Sequence, residues 1–80
     1  MQTTFFPNPV IEMANIKILN YEGSTVDIAM YNTSGQEVFH SDNLVGDTHQ
    51  VNCIDQAPGS YFIKVSVDTE VFIEKIDIIE

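Results

Sequence analysis

Turn-forming residues recur along this chain at nearly even spacing, and that rhythm limits what it can become more than any other feature. Pro7-Asn8-Pro9, Glu22-Gly23, Ser34-Gly35, Gly46-Asp47, Pro58-Gly59 and Asp68-Thr69 cut it into short segments, none of which sustains a helical period. Short strands suit such gaps. Val26, Ile28 and Met30 alternate with Thr25, Asp27 and Ala29, the period of two of a strand with one face on a core and the other in water. Tyr61, Ile63, Val65 and Val67 repeat the pattern, with Ser60, Lys64 and Ser66 pointing the other way. Phe62 is the apolar exception, expected to cover a sheet edge or meet a partner. Residues 15–21, 37–41, 48–53 and 70–79 are the remaining strand candidates. In the last of these the apolar residues occupy both parities, which a β-bulge near Glu74 and Lys75 would reconcile.

Short strands joined by tight turns favour antiparallel neighbours, so the expected fold is all-β, an immunoglobulin-like antiparallel β-sandwich of about seven strands. Eighty residues suffice for one domain and one core, since a chain of this size buries only about 60% of its unfolded surface. Val, Ile, Phe and Tyr dominate the apolar residues, and no apolar run approaches the roughly 20 residues of a membrane-spanning helix, so the chain reads as a soluble domain. Twelve acids face only Lys17, Lys64 and Lys75, for a net charge of -9. Such a surface repels polyanions, which argues against nucleic acid or an anionic membrane as partner; it also keeps a small β-protein soluble and its edges apart.

Residues that could carry chemistry are few. Cys53 is the only cysteine, so neither an intramolecular disulfide nor a Cys-based zinc cluster can form, and its place at a strand end suits a small buried hydrophobe. His40 and His49 lie on strands that could be neighbours joined by the loop from Asp42 to Asp47, but no HxxxH or HExxH spacing supports a metal site. That loop lacks the spacing and closing glutamate of an EF-hand and reads as a turn. There is no GxSxG elbow and no glycine-rich phosphate loop, and Glu70 and Glu74 read as charges on a solvated edge. No catalytic, metal or cofactor residues are expected, so function must come from surface recognition. Met1 to Thr4 shows no charged-then-apolar export signal, so the chain is either cytosolic or a fragment of a longer precursor.

Four stretches, taken in order, narrow the choice: Phe6-Pro7-Asn8-Pro9, residues 31–38 around Asn32-Thr33-Ser34-Gly35, residues 57–65 around Pro58-Gly59-Ser60-Tyr61, and Lys75-Ile76-Asp77-Ile78-Ile79-Glu80. Together they resemble the type IX secretion C-terminal sorting domain of Bacteroidetes, from Phe6 to the end of the chain. The resemblance implies a sorting domain at 6–80 behind a linker remnant at 1–5, fused to an N-terminal cargo protein that passes through the periplasm to the outer-membrane secretion machinery. It further implies cleavage by a cell-surface sortase-like cysteine protease, and a secreted or surface-held cargo. Residues carried over as recognition candidates are Pro7, Asn8, Pro9, Gly35, Pro58, Gly59, Tyr61, Lys75, Ile76, Ile78 and Glu80, although many family members end on a basic residue rather than an acid. Pro7 and Pro9 would hold an extended segment between linker and fold, Gly35 would supply a positive φ to a hairpin, and Pro58-Gly59 would form the two central positions of a turn. An immunoglobulin-like or fibronectin-like accessory module that binds protein or carbohydrate is the competing function. With no tryptophan and only Tyr21, Tyr31 and Tyr61, one of them on the expected core face, an aromatic sugar platform is thin. A monomer or weak homodimer is expected.

Overall fold

The computed structural model describes residues 2–6 and 12–79, and within them the chain forms seven strands and no helix. They are β1 Gln2–Phe6, β2 Met13–Leu19, β3 Val26–Asn32, β4 Glu37–Leu44, β5 Thr48–Asn52, β6 Gly59–Val67 and β7 Glu70–Ile78. Two sheets result, in the orders β1-β2-β5 and β4-β3-β6-β7, with every pairing antiparallel. The alternation read from the sequence decides what lies between them. Ile16 and Ile18 of β2 and Val51 of β5 face Val26, Ile28 and Met30 of β3 and Ile63, Val65 and Val67 of β6, all essentially without solvent contact. Full burial of such side chains is worth about 1.5–3 kcal/mol each.

Local turn chemistry fixes the hairpins. Asp68, at φ +55°, and Thr69 join β6 to β7 by the tightest kind of connection. Between β3 and β4, Gly35 adopts φ +83° and its N–H donates to the Asn32 carbonyl at 3.0 Å. The Asn32 side chain supports the same turn, its Oδ1 accepting from the N–H groups of Ser34 and Gln36 at 3.0 Å each.

Four expectations require correction. Residues 2–5, expected to belong to a linker remnant, pair as part of β1 with β2, from Gln2 opposite Leu19 to Phe6 opposite Asn15; Thr3, Thr4, Phe5 and Phe6 are strand-prone, and the half-buried Phe5 packs on the core. No bulge occurs at Glu74 and Lys75, because β7 follows β6 in unbroken register and leaves Val71 and Ile73 on the solvent face. The register breaks instead between β3 and β4. The hydrogen-bonded turn before β6 is not at Pro58-Gly59 either: the Gln56 N–H donates to the Cys53 carbonyl at 3.1 Å, Pro58 is a bend, and Gly59 at φ +152° already opens β6 opposite Ile78. Finally, β4 and β5 lie in different sheets, so His40 and His49 are not neighbours.

Candidate functional site

Antiparallel register gathers most of the described recognition candidates at one end of the four-stranded sheet, with Lys75 nearer the middle of β7. Asn32 stands opposite Tyr61, Tyr61 opposite Ile76, and Gly59 opposite Ile78, so β3 ends, β6 begins and β7 ends together. The Gly35 turn and the Pro58 bend project from that end, and both residues are exposed, as is Gly59. Lys75 is exposed on the outer face opposite Phe62. Pro7, Asn8, Pro9 and Glu80 lie outside the described residues.

The remaining candidates are buried. Ile76 and Ile78 point into the core, and Tyr61 reaches across it so that its hydroxyl donates to the Ala57 carbonyl at 2.6 Å. This anchors the connection between β5 and β6 just before the Pro58 bend. Ser60 Oγ donates to Asp77 Oδ1 at 2.7 Å, tying the outer faces of β6 and β7. The Cys53 N–H donates to the Glu12 carbonyl at 2.7 Å, which fixes the same connection to the start of β2. Burial pushes the Cys53 thiol up, partly opposed by a backbone hydrogen bond at Ala14, so the side chain stays neutral and packs as a small hydrophobe.

The polar groups that sequence reading weighed for chemistry do not converge. His40 Nδ1 is 3.0 Å from Glu37 Oε1, while its Nε2 meets Asp42 on the opposite side of the ring. His49 Nε2 pairs with the Gly46 carbonyl at 2.8 Å. Among the described residues no three of His, Cys, Asp and Glu gather as a metal site. Phe62 is 38% exposed on β6, an interior strand, so it presents an outward face and does not cover an edge.

Two features escaped the sequence reading. The Asn32 side chain as the centre of the β3–β4 turn was legible in principle, since Asn ahead of Thr-Ser-Gly is turn chemistry. At the opposite end, the Tyr21 hydroxyl donates to the Ser24 carbonyl and accepts from the Gly46 N–H at 3.1 Å, while Ser24 Oγ donates to Asp68 at 2.6 Å. That cluster joins three connections distant in sequence, and no local signal announces it.

Comparison with known proteins places this architecture. A family model described as a secretion system C-terminal sorting domain matches residues 4–80. A search of curated proteins returns no match to the chain. The family match runs from β1 through every strand of the sandwich and includes the end where Gly35 and Gly59 lie, and the chain therefore belongs to the type IX secretion C-terminal sorting domain family.

Proposed function

We propose that the domain is a non-catalytic C-terminal secretion signal that directs an N-terminally fused cargo protein, after passage through the periplasm, into the outer-membrane type IX machinery. The family match over residues 4–80 is the observation that carries this reading. In it, Lys75 and the loops of Gly35 and Pro58-Gly59 meet the machinery, since they are the exposed candidates. Tyr61, Ile76 and Ile78 act from within, by holding β6 and β7 in place. Pro7, Asn8, Pro9 and Glu80 enter the proposal from the sequence resemblance alone. A surface sortase-like cysteine protease then removes the domain, and the cargo is released or held at the surface. The domain acts as a monomer or weak dimer and needs no cofactor.

Fusion of residues 1–80 to a periplasmically exported reporter, in a bacterium with this pathway, tests the reading: the reporter should reach the surface or the medium. Deleting residues 75–80 should block export, partly because it removes Ile76 and Ile78 from the core, at about 1.5–3 kcal/mol each. Lys75→Glu disturbs no core packing and separates the effects, weakening export with the fold intact. A reporter that stays periplasmic while attached to a folded domain overturns sorting in favour of the accessory binding module.

A further inference from the structure

The two sheets differ in width, three strands against four, and along one side their terminal strands β1 and β7 flank an open groove of about 410 Å³. Gln2, Thr3 and Phe5 form one wall, and residues 71–74 form the other. Glu74 interrupts the apolar inner face of β7, between buried Ile76 and half-buried Phe72. It stands opposite the fully buried Ile63, so it occupies an inward position of the sheet, yet it is exposed because no strand of the narrower sheet covers it. Among the described residues no hydrogen bond or ion pair engages its carboxylate. Phe72 and Phe5, both half-buried, supply apolar lining beside it. On the other face of the same stretch, Val71 is 55% and Ile73 63% exposed.

We propose that this groove receives an extended segment of a partner protein, which adds as a strand along residues 70–74 of β7 and places a Lys or Arg side chain on Glu74. Strand addition suits the site because β7 is regular and terminal in its sheet, and an added strand sends alternate side chains to the two faces. Its groove-facing side chains cover Phe5 and Phe72 and answer the carboxylate. Its outward side chains cover Val71 and Ile73. A cation is the matching charge, both for Glu74 and for a chain carrying a net -9, which steers basic segments toward it. A second copy of this chain is the poorer occupant, because it brings a second -9 and a second Glu74 to the same groove. The inference rests on the sorting reading only in that such a partner is met during export.

Two seven-residue peptides of alternating valine and threonine, with a central lysine or a central glutamate in place of threonine, provide the probe. Amide shifts of the labelled domain should concentrate at residues 2–5 and 70–74, and the lysine peptide should bind about tenfold tighter than the glutamate peptide, equivalent to ~1.4 kcal/mol. Glu74→Gln, whose melting temperature should match the parent, should erase that preference, and Glu74→Lys should reverse it. Shifts centred elsewhere, equal affinity for the two peptides, or no binding of the lysine peptide at about 1 mM would overturn the proposal. Sedimentation showing a dimer held through residues 70–74 would hand the edge to a second copy and overturn it likewise. The export assay of the unmodified reporter fusion decides the sorting reading independently, since peptide binding needs no secretion pathway.

Discussion

β4 and β7 border the same four-stranded sheet and protect their free sides differently. β4 slips register against β3 twice, between Val26 and Ile28 and again between Met30 and Tyr31, and carries His40 between Glu37 and Asp42. β7 runs through nine successive pairs with β6 without a break and sets an inward carboxylate, Glu74, beside an open groove. A bulged and charged edge turns away any strand, because its backbone groups no longer form a continuous row. A straight edge with a carboxylate beside an open groove turns away only strands that cannot answer that charge. Irregularity excludes, then, and charge selects.

The two strands should also differ in what they hold together. Ile76 has no solvent exposure, so Ile76→Ala should cost about 2–5 kcal/mol. Leu44, half-buried at the end of β4 opposite Val26, should cost roughly half as much when cut to alanine. Urea denaturation midpoints compare them, and equal losses would mean that β4 is as deeply anchored as β7. Next in size is Gly35→Val, expected to cost about 1–3 kcal/mol because a β-branched residue resists the left-handed backbone at φ +83°. Gly59→Val should cost a comparable amount, about 1–3 kcal/mol, since φ +152° is a backbone conformation that side chains rarely adopt, although the space around it is open. A Gly59→Val melt that matches the parent would mean that the start of β6 relaxes to ordinary strand geometry.

Smaller still is the loss of the Tyr61 hydroxyl, which binds the Ala57 carbonyl at 2.6 Å; Tyr61→Phe should cost about 0.5–1.5 kcal/mol. The smallest expected effect on stability bears most directly on the two edges. Glu74→Val and Asp42→Val each remove one exposed carboxylate and should change stability by about 0.5 kcal/mol or less. Only Glu74→Val should make the domain associate as concentration rises, measured by static light scattering, because of the two edges only β7 is straight once Glu74 no longer guards the groove. Association of both variants alike would end the distinction between the edges.

Much of this molecule was legible from neighbours in sequence. The alternation at Val26, Ile28 and Met30 and at Tyr61 through Val67 marked β3 and β6, and the Asn32 to Gly35 turn was read with the positive φ it needs. Both are local properties: a period of two follows from strand geometry, and a turn is set by a few adjacent residues. The recognition candidates were legible only through resemblance, because Gly35, Gly59 and Tyr61 have nothing in common chemically until the register sets them at one end.

The sequence by itself determined an all-β chain, the approximate places of six of its strands, and the family to which its motifs point. Tertiary structure alone decided that residues 2–5 join a sheet, that β5 pairs with β2 and not with β4, and that Glu74, at an inward position of β7, is left uncovered beside an open groove. A strand's alternation tells which residues share a face and leaves open which face will be covered. That choice falls to the whole set of strands, which must bury Ile16, Ile28, Ile63 and Ile76 together across two sheets of unequal width, and it leaves the odd edge of the wider sheet exposed.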